Sequence, residues 1–124
     1  MSGGSYDYVY HRISEAADSV RASIGRVTEP VELHVRRGGV TRTYTGPDAA
    51  RLRESVAEHR LWLADVMEAV AKAMHDVEWV DSCDYSEAAE VPAIAAVGDV
   101  LARRPAVPPE LAADPLTGGR TRAV

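Results

Sequence analysis

The scarcity of three residue types bounds what this chain of 124 residues can be. It has no phenylalanine, a single cysteine, and a single lysine (Lys72) among its 14 basic residues. One cysteine, Cys83, excludes an intramolecular disulfide and is typical of a protein from a reducing compartment. No apolar run approaches the roughly 18 residues that span a bilayer, and no basic segment followed by an apolar one opens the chain. We therefore expect a cytoplasmic protein with no membrane contact.

The rest of the composition favours a core built from small side chains. Hydrophobic residues make up 46% of the chain, and in the absence of phenylalanine most of them are alanine, valine and leucine. Alanine and leucine are strong helix formers, so this composition predicts closely packed helices. The formal net charge of -5 argues against a long nucleic acid as partner.

Hydrophobic periodicity predicts three helices. Apolar residues recur in steps of three and four from Tyr6 to Ile24, which indicates an amphipathic helix that ends near residue 25. A second run at helical spacing extends from Pro47 to about Trp79, a helix of roughly 30 residues. Asp84, three residues before a glutamate, has the spacing of a capping box and predicts the start of a third helix.

A β-hairpin is predicted between the first and second helices, at about residues 31–45. Apolar and polar residues alternate there, and a Gly-Gly pair interrupts the alternation as a two-residue turn. That turn places Val35 opposite Arg42 and Leu33 opposite Tyr44. An isolated hairpin is marginally stable in water, so this one must pack on the helices or pair with another subunit.

These elements define the predicted fold class and domain organisation. The fold is mainly α with a small β-hairpin (α+β), in which a long central helix packs on an N-terminal and a C-terminal helix. We expect a single helical domain over residues 1–104 and a tail rich in proline and glycine over residues 105–124. The central helix is longer than one small domain is wide, so it either bends near residues 58–60 or is buried against a second chain. We expect a homo-oligomer that assembles through this helix.

Charge is distributed unevenly along the chain. Residues 31–53 hold five arginines and two acidic residues, a net +3, whereas residues 65–90 hold eight acidic residues and one lysine, a net -7. One interpretation is two solvated faces, aided by a pair between Glu68 and Lys72 four residues apart on a helix. The other is a basic hairpin that binds an anion or the acidic end of a neighbouring copy.

Arginines near the hairpin turn are the first candidate ligand-binding residues. Arg36, Arg37 and Arg42 carry guanidinium groups that suit bidentate contacts with phosphate or carboxylate. The preference for arginine over lysine also follows from a GC-rich genome without any functional reason. The Gly-Gly pair is explained by the turn alone, and it matches neither a Walker loop nor a dinucleotide fingerprint.

Aromatic residues are the second candidate group. Tyr6 and Tyr10 share a face at the start of the first helix, and Trp79 lies near the end of the long one. One interpretation is ring packing in the core, and the alternative is the wall of a small-ligand site in which rings stack a base.

The segment from His75 to Asp84 contains potential metal ligands and proton-transfer groups. His75 and Glu78 would share a helix face, but no second pair of ligands has matching spacing. Asp81 and Asp84 could act as acid and base, although capping of the next helix explains Asp84. We expect no metal, no cofactor and no catalytic residue.

Two segments of this chain resemble motifs of a known family. Ser2-Gly-Gly-Ser-Tyr-Asp-Tyr-Val-Tyr10 and His75-Asp-Val-Glu-Trp-Val-Asp-Ser-Cys-Asp84 resemble an uncharacterised family of small phage and bacterial proteins. Members begin with Ser-Gly-Gly-Ser-aromatic and carry Glu-Trp-x-x-Ser-Gly-Asp late in a long helix. Cys83 stands where that pattern has glycine. The matching positions are Ser2, Gly3, Gly4, Ser5, Tyr6, Tyr8, Tyr10, Glu78, Trp79, Ser82 and Asp84. The resemblance adds Ser82 and Asp84 to the candidate ligand-binding residues.

The functional expectation combines these features. The leading hypothesis is a non-enzymatic oligomeric protein that binds a small anionic, nucleotide-like ligand. Phage membership of the resembled family implies anti-defence by nucleotide sequestration in the bacterial host cytosol. The alternatives are a protein–protein interaction module without a small ligand and a small hydrolase that uses Asp81, Asp84 or His75.

Overall fold

The computed structural model of the chain describes residues 9–29 and 31–112. Their elements in chain order are α1 (Val9–Ala22), α2 (Ile24–Thr28), β1 (Leu33–Arg37), β2 (Val40–Tyr44), α3 (Gly46–Asp81), α4 (Val91–Leu101) and a short 3₁₀ helix (Pro109–Leu111). The protein is mainly helical with a two-stranded antiparallel hairpin, which confirms the predicted fold class. No helix in these two ranges is both long and apolar enough to cross a bilayer.

The chain forms two compact units. Among the described residues, the first unit contains 9–24 and 59–104, and the second contains 25–29, 31–58 and 105–112. The hairpin and the 3₁₀ helix therefore belong to the second unit, and α3 supplies residues to both. Compact units are not necessarily independent folding domains, so the single domain expected over residues 1–104 stays a prediction. The candidate ligand-binding residue Tyr6, the other resembled positions from Ser2 to Tyr8, and residues 113–124 of the expected tail lie outside the described residues.

Small side chains form the core of the first unit, in which α3 packs against α1 and α4. The fully or nearly fully buried apolar residues there are Ala17, Ala64, Ala71, Ala73, Ala93 and Val100. Alanine allows two helix backbones to approach more closely than leucine or phenylalanine does. At the α3–α4 contact, Trp62 donates a hydrogen bond from Nε1 to the Val100 carbonyl at 2.9 Å. This core confirms the expectation of small packed side chains.

Polar contacts join α1 to α3 within the first unit. Arg21 pairs with Asp65 at 3.0 Å, and Ser14 donates to Glu68 at 2.7 Å. The predicted Glu68–Lys72 pair is wrong, because Lys72 instead reaches forward to Asp76 at 3.0 Å. Asp76 is buried and its carboxylate needs a cationic partner, whereas Glu68 already has one across the helix interface in Arg21, whose Nη1 lies 3.9 Å from its Oε2.

The first helix ends earlier than the periodicity predicts. α1 stops at Ala22, a turn follows at Ser23, and α2 then passes through Gly25. Ser23 donates its hydroxyl to the Val20 carbonyl at 2.6 Å, a local bond that competes with the helical one. Arg60 of α3 donates to the same hydroxyl at 2.7 Å, which fixes the turn against the long helix.

The hairpin has the predicted register. Leu33 pairs with Tyr44 and Val35 with Arg42, as the Gly-Gly turn requires. Both glycines have positive φ, 56° at Gly38 and 80° at Gly39, a combination typical of a two-residue hairpin turn.

Within the second unit, α3 is tied to the segment that leads into the hairpin. Arg53 donates a hydrogen bond from Nη1 to the Val27 carbonyl at 2.9 Å and another from Nη2 to the Glu32 carbonyl. Ala49 and Leu52 of the same helix are buried. Val27 lies in the last turn of α2 and Glu32 precedes β1, so neither carbonyl has a partner within a regular helix or strand. The Arg53 guanidinium provides a hydrogen-bond donor to both.

Cys83 ends α3 in a left-handed conformation. Its φ is 64°, and its N–H donates to the Val80 carbonyl at 2.9 Å while the Asp84 N–H donates to the Trp79 carbonyl at 2.8 Å. This pair of bonds is the Schellman motif, whose left-handed position is usually glycine because a Cβ there is strained.

The predicted capping of the third helix by Asp84 is wrong. α4 begins at Val91 after Glu90, which makes no side-chain capping bond, and Pro92 lies within the first turn, where proline is tolerated. Asp84 is used instead in the turn that ends α3. A further turn, in which Ala88 has a φ of 67°, occupies the residues before α4.

We expect Cys83→Gly to stabilise the protein by about 1 kcal/mol, because glycine relieves the strain of the left-handed position. Thermal unfolding followed by circular dichroism should show a midpoint higher by about 4 °C. Cys83→Ala is the matched control, since it removes the exposed thiol but keeps the Cβ. An equal gain in the alanine variant would contradict the explanation.

Candidate ligand-binding surfaces

Strand alternation gives the hairpin two chemically different faces. In β1 the half-buried residues Leu33, Val35 and Arg37 alternate with the exposed residues His34 and Arg36. Successive side chains of a strand point to opposite faces, so these two sets lie on opposite sides of the hairpin.

A groove of about 530 Å³ lies along the half-buried face, within the second unit. It is lined by Val35, Arg37, Gly38, Val40, Arg42, Tyr44, Pro109 and Glu110. We call this the hairpin groove. Its walls combine two guanidinium groups, one phenol ring and aliphatic surface, which together can hold a small molecule with a charged and an apolar part.

The two arginines of the groove have unused hydrogen-bonding capacity. Arg37 donates from Nη1 to the Pro109 carbonyl at 3.0 Å, while its Nε is shielded from water and has no partner. Arg42 is exposed and makes no hydrogen bond or ion pair in the described part of the chain. A buried donor without a partner is uncommon in a native structure.

Glu110 lines the same groove and forms an ion pair with Arg51. Arg51 of α3 contacts its Oε2 at 2.8 Å, and Asp48 lies 3.6 Å from Arg51. The hydrogen bond from Arg51 lowers the pKa of Glu110, and the same bond raises the pKa of Arg51. The Oε1 atom of Glu110 is shielded from solvent and has no partner outside its own residue.

The three predicted arginines do not share one surface. Arg37 and Arg42 line the hairpin groove, whereas Arg36, which lies opposite Thr41 in the strand register, is on the other face of the hairpin. Tyr44 was not among the candidates. Tyr44 lies two residues after Arg42 in β2, and residues two apart in a strand share a face. This spacing could have identified Tyr44 as a candidate from the sequence.

An aromatic cluster lies in the first unit around His75. The His75 ring stacks on Trp79 with centroids 5.2 Å apart and meets the edge of Tyr10 at 5.1 Å. Tyr85 lies 5.6 Å from Trp79 and 6.2 Å from His75. The structure therefore brings the predicted residues Tyr10 and Trp79 together through a histidine. Tyr85 was missed because the turn at Cys83, which periodicity does not reveal, brings it back onto the helix.

A polar group adjoins this cluster. His75 Nδ1 lies 2.9 Å from Asp76 Oδ1, and Lys72 contacts the same oxygen at 3.0 Å. Burial alone would raise the pKa of Asp76, but the hydrogen bonds from His75 and Lys72 outweigh it and hold that pKa below its ordinary value. The carboxylate therefore stays ionised and fixes the orientation of the His75 ring.

The remaining candidates lie where α3 ends. Ser82 is half-buried and Asp84 is exposed, and neither side chain makes a hydrogen bond or ion pair within residues 9–29 and 31–112. Glu78 is almost completely buried, 1% exposed, and both of its carboxylate oxygens lack a partner. Asp81 is exposed. No group of three potential metal ligands occurs in the part of the chain that the structure describes.

No protein-family model, curated protein or solved structure matches this chain. The resemblance to the family of small phage and bacterial proteins therefore stays a prediction.

We expect Asp76→Asn to destabilise the protein at pH 7 by about 1–3 kcal/mol, because it removes charge-assisted hydrogen bonds inside the fold. The lowered pKa of Asp76 means that its contribution is present above about pH 4 and is lost as the pH falls through the lowered value. Urea unfolding at a series of pH values should therefore show the two proteins converging under acid conditions. Asp81→Asn, an exposed aspartate of the same helix, should change stability little at any pH. A constant difference between wild type and Asp76→Asn down to pH 2 would contradict this account.

Proposed function

We propose that the chain is a non-enzymatic protein that binds a small anionic, nucleotide-like ligand in the hairpin groove. The observation that carries this proposal is that Arg37 and Arg42 line one groove, where Arg42 makes no hydrogen bond or ion pair with the described residues and Arg37 donates to the Pro109 carbonyl. An anion with a bidentate edge, such as phosphate, is the natural partner of a guanidinium group.

Two further features favour a nucleotide over a bare anion. The ring of Tyr44 and the aliphatic surface of Val35 and Val40 provide a wall against which a base can stack or pack. A bare phosphate would use neither of these features.

The sequence-based prediction that Tyr6, Tyr10, Trp79, Ser82 and Asp84 contact the ligand stays a prediction. Sequestration of a nucleotide signal against a host defence is the biological role that the family resemblance suggests for such a binding protein, and it too remains a proposal.

Isothermal titration calorimetry with linear and cyclic mono- and dinucleotides, and with inorganic phosphate, tests the proposal. We expect at least one nucleotide to bind more tightly than phosphate and to be recovered intact after the protein is denatured. Recovery of a cleaved ligand would favour the hydrolase alternative. No heat from any compound would overturn the proposal.

Arg42→Ala should weaken binding of that nucleotide about tenfold or more, or about 1.4 kcal/mol, because it removes a charge-assisted contact. Arg36→Ala is the matched control, since it removes the same charge from an adjacent strand but on the opposite face. Its effect should be small. Equal losses in the two variants would indicate a general field effect and would contradict a site in the groove.

A further inference from the structure

The helix α4 is apolar around almost its whole circumference. Its 11 residues contain one charged side chain, Asp99. Ala93 and Val100 are buried and form the side that packs within the first unit. A helix in a soluble domain usually carries polar residues on the side opposite its packed face. Here that opposite side is apolar as well.

The second apolar face of α4 is exposed. Val91, Ile94 and Leu101 are 55%, 48% and 48% exposed, and Gly98 lies between them without a side chain. Their spacing of three, four and three residues places all four on one side of the helix. We call these four residues the α4 face. Clustering of three large apolar side chains on one short helix is unusual for a surface that stays in water.

The chain at the two ends of α4 carries opposite charge. Asp84 and Glu87 are exposed in the connection between α3 and α4, and Arg103 and Arg104 are exposed directly after α4. None of these four side chains has an ion-pair partner in the described ranges 9–29 and 31–112. A second α4 laid antiparallel on the first would bring each acidic end opposite a basic end. It would also align the two helix dipoles favourably.

We propose that the α4 face is the interface of a homodimer, in which two copies of α4 pack antiparallel about a two-fold axis. A two-fold interface requires a self-complementary surface, and an apolar centre between ends of opposite charge has that property. Gly98 allows the two helix backbones to approach closely at the centre of the face. The acidic residues before α4 disfavour the other common use of an apolar helix face, which is insertion into an anionic membrane surface.

This interface differs from the oligomer contact expected through the long helix. It is also independent of the hairpin groove, so failure of one proposal leaves the other standing.

Sedimentation velocity of the full chain over about 1 to 100 µM tests the dimer, because weak but specific interfaces have dissociation constants in this range. We expect a monomer–dimer equilibrium for the wild type. Ile94→Glu should weaken it by tenfold or more. Leu61→Glu is the matched control, since Leu61 is 47% exposed but lies on α3. Circular dichroism checks that both variants keep their helices.

A wild type that remains monomeric at 100 µM would overturn the proposal. So would a dimer that Leu61→Glu disrupts and Ile94→Glu does not, because that result would place the interface on α3.

Charge reversal tests the antiparallel orientation. Arg103→Glu with Arg104→Glu should weaken the dimer, and adding Asp84→Arg with Glu87→Arg should restore it. Restoration requires that opposite ends meet, which a parallel pair does not provide. Arg12→Glu with Arg26→Glu, two exposed arginines elsewhere, should leave the equilibrium nearly unchanged. Loss of dimer in the fourfold variant would exclude the antiparallel arrangement.

Discussion

Packing of helices through alanine is the constraint on which the first unit depends. Ala64 and Ala71 of α3 are buried with Ala17 of α1 and Ala93 of α4, and no phenylalanine is present to fill a wider gap. Helices packed through such small side chains bury little apolar area per residue. The unit therefore depends on polar contacts as well. Arg21 with Asp65 and Trp62 with the Val100 carbonyl supply directional links between helices that the alanines do not fix.

The second unit follows a different rule, set by the alternation of a strand. Once the glycine turn fixes the register, Arg37 and Arg42 must face the same side as Tyr44, and Arg36 must face away. The chemistry of the groove is therefore a consequence of turn geometry. The 3₁₀ helix, from a distant part of the chain, completes the hairpin groove. Its Pro109 carbonyl accepts a hydrogen bond from Arg37, and its Glu110 forms an ion pair with Arg51.

Local pattern predicted those parts of the fold whose physics is local. The hairpin register follows from two adjacent glycines, and the length of α3 follows from a periodic apolar stripe without an internal proline or glycine. The end of α1 and the start of α4 were mispredicted for the opposite reason. Arg60 fixes the turn at Ser23 from another helix, and α4 begins only at Val91, too far along the chain for Asp84 to cap it. Hydrophobic periodicity reports the local apolar pattern and therefore predicts neither effect.

The sequence by itself determined the helical class, the small-residue core, the hairpin pairing and the presence of arginine near the turn. Each of these depends on composition or on residues a few positions apart. Only the tertiary structure decided which arginines share a surface, which rings meet around His75, and which apolar residues of α4 stay exposed. Those outcomes depend on which face of a helix or strand is covered by residues far away in the chain. A periodic pattern shows that a face is apolar, but it does not show which residues cover that face.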